Sequence, residues 1–166
     1  EFMTQPEFSL ELIDAAHRLG ISVAGETCGL AQPAVFASLV DKLDLVLMDV
    51  KHYDPGRHQE VTHARMPVIL ANAAYLANSR TAHVFRIPVI PGINDSVEDA
   101  EGFADLLDEY GIGEIELVPF HQYGKGKYAD LDRDYDFEDA SSLSEDDLAP
   151  FRDALERAGV TTRISG

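Results

Sequence analysis

Two apolar runs of strand length end abruptly in charged or turn-forming residues. The first run covers residues 43–51 and reads LDLVLMDVK, and the second covers 85–92 and reads FRIPVIPG. Because side chains alternate across a strand, Asp49 and Lys51 emerge on the same face at the end of the first run. In an α/β barrel that end of the strands carries the chemistry. The pattern therefore indicates a functional site at Asp49 and Lys51.

Helical and strand-like segments alternate along the chain. Apolar residues recur at helical spacing in several segments, with Gly20 after the first of them and Ser96 positioned to cap a later one. The predicted helices are 8–19, 34–40, 54–61, 68–76, 97–110 and about 144–158. The predicted strands are 21–26, 43–51, 82–90, 112–118 and 160–164. The longest irregular stretch is 122–137, and loops of this length often carry functional residues.

This alternation predicts an α/β fold whose parallel strands are joined by right-handed crossovers. An open doubly wound sheet and a partial barrel both satisfy the pattern. With 166 residues, the chain is expected to form a single domain, 1–166, with a substantial core.

Charge and cysteine content narrow the function class. The formal charge of −17 argues against binding of nucleic acid or of anionic membrane surfaces, and we read the acidic stretch 130–153 as a solvated face. No apolar run approaches the roughly 20 residues that a membrane span needs. The one cysteine, Cys28, excludes an internal disulfide and fits a cytoplasmic protein.

Three motifs together resemble one known family. They are Asp49-Val-Lys-His52, the segment RIPVIPGIND at 86–95 and the segment ELVPFHQYGKGKY at 116–128. In this order, with Gln5–Phe8 and Glu26–Gly29 before them, they are similar to the radical S-adenosylmethionine (SAM) activating enzymes of glycyl-radical enzymes, in particular the pyruvate formate-lyase type.

The resemblance implies an incomplete parallel (β/α) barrel of six β/α units, with SAM at the strand carboxyl ends. It also implies a 4Fe-4S cluster held by three cysteines at C-x3-C-x2-C spacing, a motif that this sequence lacks. Glu1 stands where the glutamate of the family's Gly-Gly-Glu segment would be. We therefore expect the C-terminal two-thirds of such an enzyme, comprising the last four β/α units, and no activity from this stretch by itself.

The resemblance also assigns roles to residues near the strand ends. Lys51 would reach the methionyl part of SAM, and Asp49 would lie near the ribose and a bound monovalent cation. Glu26 and Thr27 would offer oxygen atoms to the same cation and to the SAM amino group. A plain salt bridge between Lys51 and Asp49 is the structural alternative.

Three further residues match the family. Arg86 would approach the SAM carboxylate, although an interior or helix-packing salt bridge is an equal alternative. His121 would contact the adenosine ribose, and Glu1 would bind the SAM amino group in a full-length enzyme.

The function implied by the resemblance is reductive cleavage of SAM and formation of a glycyl radical on a partner. The partner would be a glycyl-radical enzyme such as pyruvate formate-lyase, and flavodoxin or ferredoxin would donate the electron. Two alternatives remain open from the residues themselves. One is a barrel lyase or aldolase in which Lys51 forms a Schiff base, and the other is a non-catalytic binding domain.

Overall fold

A single parallel sheet organises the molecule. The computed structural model describes residues 2–165 and contains five strands in the spatial order β1-β2-β3-β4-β5, each parallel to its neighbours. The strands are β1 (Ala24–Thr27), β2 (Leu45–Asp49), β3 (Ala82–Val89), β4 (Glu114–Pro119) and β5 (Thr161–Ile164). Because the chain moves across the sheet in one direction, the order reversal of a doubly wound fold is absent from residues 2–165. Of the two architectures that the sequence allowed, the barrel-type order is the one found, as an open sheet.

Seven helices accompany the strands within the described residues. They are α1 (Pro6–Arg18), α2 (Pro33–Val40), α3 (Pro55–Thr62), α4 (Met66–Ala77), α5 (Val97–Glu109), α6 (Lys125–Asp130) and α7 (Glu145–Arg157). At least one helix follows each of β1 to β4, so four β/α units precede β5, as predicted. None of these helices has the length and apolar run needed to cross a membrane.

The helices cover one face of the sheet and leave the other face open. In β2, Val46 and Met48 are fully buried, whereas Leu45, Leu47 and Asp49 are partly exposed. Strands β3 and β4 show the same alternation. Right-handed crossovers between successive parallel strands place their helices on the same side, which accounts for the pattern.

Serine residues cap two helix starts, one of them at the predicted Ser96. Ser96 accepts a hydrogen bond from the Asp99 amide at 3.0 Å, and Asp99 accepts one from the Ser96 amide at 3.0 Å. Ser144 and Asp147 form the same reciprocal pair at the start of α7. An aspartate therefore completes the capping box here, although glutamate or glutamine is the usual residue.

The stretch predicted to be irregular contains a short helix. A 3-10 turn at Gln122–Gly124 leads directly into α6. The Gln122 amide Nε2 donates to the Phe137 carbonyl oxygen at 2.7 Å and so ties this turn to the far end of the loop. Six residues that include a glycine carry no apolar stripe, which is why periodicity gave no sign of this helix.

Candidate functional site at the strand carboxyl ends

A row of charged side chains of alternating sign crosses the open face of the sheet. Asp49 on β2 is in register with Arg86 on β3, Arg86 with Glu116 on β4, and Glu116 with Arg163 on β5. Residues directly opposite each other in a sheet point to the same face. The fold thus brings together charges that lie far apart in the sequence.

Arg86 joins the carboxylates of the two preceding strands. Its Nε and Nη2 donate to Asp49 Oδ1 at 2.9 and 2.7 Å, and Nη2 lies 2.6 Å from Glu26 Oε1. The Arg86 and Asp49 side chains are each 14% exposed, whereas Glu26 is 62% exposed. Arg86 therefore takes part in the interior salt bridge that the sequence analysis held open as its alternative role.

The two neighbouring carboxylates decide the charge state of Arg86. Burial, the largest single effect, lowers the pKa of Arg86, but the hydrogen bonds to Glu26 and Asp49 and the attraction of their negative charges together outweigh burial and raise the pKa above its ordinary value. Arg86 thus stays charged and supplies positive charge to both carboxylates.

Within residues 2–165, no group of three or more acidic, histidine or cysteine side chains could hold a metal ion. The structure therefore gives no support to a monovalent cation at Asp49 and Glu26.

Lys51 remains accessible beside this network. Its Nζ lies 3.6 Å from Asp49 Oδ2, at the outer limit of an ion pair, and its side chain is 41% exposed. Arg86 Nη1 makes no hydrogen bond within the described residues. Two cationic groups therefore still have donors for an external carboxylate.

The Glu26–Thr27 pair divides between the two faces of the sheet. Glu26 lies on the open face with Arg86, whereas the buried Thr27 side chain points into the helix layer. There Thr27 Oγ1 donates to Met3 Sδ at 3.7 Å and accepts from the Gly29 amide at 3.0 Å. The Thr27 hydroxyl therefore does not join the charged cluster.

His121 lies just beyond the carboxyl end of β4. Its Nδ1 accepts a hydrogen bond from the Tyr123 amide at 3.3 Å, and the two rings are 4.2 Å apart between centroids. His121 lines a cleft of about 470 Å³ with residues from 118–123, 143–145 and Ser165. Two strand spacings, about 10 Å in total, separate β4 from β2. His121 is therefore at the same edge of the sheet as Asp49 without belonging to its ion-pair network.

The chain does not fit an iron–sulfur cluster. Cys28 is its one cysteine, and such clusters require several thiolate ligands. Glu1, the remaining residue assigned by resemblance, lies outside the described residues.

The surroundings of Lys51 do not favour the Schiff-base alternative. A lysine nucleophile is activated by an apolar pocket or by a neighbouring cation. Lys51 is instead half-exposed and next to the Asp49 carboxylate.

Sequence reasoning missed two buried asparagines that hold the loops of the site. Asn94 binds the backbone after β2, and Asn72 binds the backbone after β1. Asn72 could have been noticed because it shares the buried face of α4 with Ile69 and Leu76. A polar residue on such a face needs internal hydrogen-bond partners.

Comparisons with known proteins agree with the motifs. No protein-family model matches the chain. The chain is 38% identical over 152 residues to the choline trimethylamine-lyase activating enzyme of Oleidesulfovibrio alaskensis, covering 89% of this chain and 49% of that protein. It is 32% identical over 166 residues to the pyruvate formate-lyase 2-activating enzyme of Escherichia coli, covering 100% of this chain and 57% of that protein.

A solved structure shares the fold. A domain of the pyruvate-formate lyase-activating enzyme from Bacteroides vulgatus matches with a TM-score of 0.78 at 23% identity, over 100% of this chain and 94% of that domain. The chain spans about half the length of the curated relatives it matches. By these relatives, the chain belongs to the family of glycyl-radical-enzyme activating enzymes.

Proposed function

We propose that these 166 residues form the SAM-binding part of a radical SAM enzyme that installs a glycyl radical on a partner. The supporting observation is the pair of cations at the strand ends, Lys51 and Arg86, with carboxylates beside them. The methionyl end of SAM carries one carboxylate and one ammonium group. Each of these charges meets groups of opposite sign at this edge of the sheet.

Different residues bind different parts of SAM. Lys51 and Nη1 of Arg86 bind its carboxylate, and Glu26, with the Thr27 carbonyl, binds its amino group. Asp49 holds Arg86 in place and lies nearest the ribose. His121, whose Nδ1 is already occupied, offers Nε2 to the adenosine hydroxyls.

When bound, SAM would supply the radical chemistry: one electron would cleave its C5′–S bond and release methionine, and the 5′-deoxyadenosyl fragment would take a hydrogen atom from a backbone glycine of the partner. In this proposal the cluster is carried by polypeptide outside these residues, and flavodoxin or ferredoxin, in the cytoplasm, delivers the electron. The partner is a glycyl-radical enzyme such as pyruvate formate-lyase. The relatives are named for different partner enzymes, so the family by itself does not select one. These 166 residues with SAM and a reductant should release no 5′-deoxyadenosine.

A binding titration tests the proposal without the cluster. SAM is added to the ¹⁵N-labelled chain, and the dissociation constant is taken from amide chemical shifts, which detect weak binding. Lys51→Met should weaken binding about tenfold because the ligand carboxylate loses a charged partner.

Lys42→Met is the matched control. Lys42 is 48% exposed and pairs with Asp14 at 2.7 Å, but it precedes β2 at the opposite end of the strand. This variant removes the same charge and should leave SAM affinity unchanged. Equal affinities of the two variants would contradict the proposal, as would a borohydride-trapped adduct of a keto substrate on Lys51.

A further inference from the structure

The Asn94 side chain ties the ends of β2 and β3 together. It is completely buried, and its Nδ2 donates to the Lys51 carbonyl at 3.0 Å and to the Pro88 carbonyl at 2.9 Å. Its Oδ1 accepts from the Ile90 amide at 2.7 Å. Both amide protons and the carbonyl oxygen are therefore used inside the protein.

These bonds begin where the backbone ladder between the two strands stops. Val50 donates to the Arg86 carbonyl at 2.8 Å, the last backbone bond of this ladder in the described residues. The next residue, Lys51, is held by Asn94 instead. His52 adds a weaker contact from Nε2 to the Ile93 carbonyl at 3.3 Å. The two loops beyond the strands thus become one unit with Asn94 inside it.

A fixed backbone matters for Lys51 because little else restrains its side chain. Its single ion pair is loose, at 3.6 Å, and the side chain is half-exposed. A long, mobile side chain loses conformational entropy when it binds a ligand, and an anchored backbone reduces the volume that its ammonium explores.

We propose that Asn94 is a positioning residue for SAM. It fixes the Lys51 backbone so that the ammonium stays beside Asp49 and within reach of the ligand carboxylate. This inference rests on the proposed function, because it takes Lys51 to be the group that binds that carboxylate.

Asn72 provides a matched comparison. It is 2% exposed, and its Nδ2 likewise donates to two carbonyls, those of Gly29 and Ala31, at 2.8 and 2.9 Å. It holds the loop after β1, which does not contain Lys51. Asn72→Ala therefore removes an equivalent buried clamp without acting on Lys51.

A double-mutant cycle on SAM affinity tests the inference. We measure Asn94→Ala and Asn72→Ala, each with Lys51 present and in the Lys51→Met background, by the same amide titration. Asn94→Ala should weaken binding about tenfold when Lys51 is present and less than about twofold when it is absent. Asn72→Ala should change the affinity by the same factor in both backgrounds.

Two controls make each outcome decisive. Thermal melting confirms that each variant is folded, and Asn94→Ser, whose hydroxyl can serve one carbonyl, replaces the alanine variant if that variant unfolds. An equal loss for the Asn94 variant in both backgrounds, or no loss in either, would overturn the inference. Wild-type affinity in Lys51→Met would instead overturn the proposed function, and the inference with it.

Discussion

Replacing Arg86 by methionine should be among the most destabilising single changes on the open face of the sheet. Methionine preserves much of the apolar stem, but Asp49 loses both hydrogen bonds from the guanidinium. Asp49 is 14% exposed, so water replaces those bonds poorly. Glu26, which shared the same guanidinium, is left as a second negative charge nearby.

The magnitude follows from the burial of the pair. Breaking a fully buried ion pair by removing one partner costs about 3–5 kcal/mol, and breaking an exposed pair costs about 0–1 kcal/mol. With both side chains mostly buried, we expect a loss of about 2–3 kcal/mol in the free energy of unfolding. For a chain of this size, that loss corresponds to a fall in Tm of about 5–10 °C.

Urea unfolding at pH 7, followed by circular dichroism, measures this loss. Asp49→Asn in the same chain completes a double-mutant cycle, in which the double variant should lose less than the sum of the single variants by at least about 1 kcal/mol. Arg152→Met is the control, because Arg152 pairs with Asp153 at 2.9 Å on an exposed surface and its removal should not move the midpoint. An Arg86 variant as stable as the control, or strictly additive losses in the cycle, would refute the reasoning.

Three further changes test the local structure by the same unfolding assay. Ser144→Ala should cost about 1 kcal/mol by removing the cap of α7. Hydrogen bonds from Ser144 hold the pKa of Asp147 below its ordinary 3.8. Their contribution to the free energy of unfolding is therefore complete above pH 3.8 and is lost as the pH falls through the lowered pKa. Ser144→Ala should consequently lower the free energy of unfolding less at pH 2 than at pH 7. Gly92→Ala should lower the free energy of unfolding by about 1–2 kcal/mol, because its φ of +73° disfavours a residue with a side chain. Nothing lies within 4 Å of the added Cβ, so no steric clash adds to this loss. Gly29→Ala should lower the free energy of unfolding more than Gly92→Ala does, because φ is again positive, at +75°, and the new Cβ would also lie 2.3 Å from Met48 Cε. Equal losses for the two glycine variants would mean that the Met48 side chain moves aside.

The sequence was sufficient for the five strands, for six of the seven α-helices of the described residues and for part of the site. Strand alternation by itself places Asp49 and Lys51 on one face, and the structure keeps them together there. The same rule also bears on the Glu26–Thr27 pair. Adjacent strand residues point to opposite faces, so these two side chains cannot both turn toward one ligand.

What the sequence could not supply is register. Asp49 and Arg86 are 37 positions apart, and their contact depends on how β2 and β3 align. The start of β1 shows the same limit. Residues 21–23 read as strand, but Val23 donates to the Asp44 side chain at 2.7 Å, and β1 begins at Ala24. Such pairings arise from tertiary structure, which local periodicity does not encode.

The alternating charges also explain how one face of this sheet can remain uncovered. A closed barrel fills its interior with layers of branched apolar side chains. Here one layer of the open face consists of Asp49, Arg86, Glu116 and Arg163. Opposite charges on neighbouring strands attract: Arg86 pairs with Asp49 and Glu26, and Arg163 pairs with Glu114 at 2.6 Å. These ion pairs hold the charged side chains in place without apolar packing. Under the proposed function, a ligand that carries both a carboxylate and an ammonium group suits this face, because each of its charges can meet an opposite one there. An apolar ligand of the same size would desolvate the charged side chains without offering them a partner, and would be rejected.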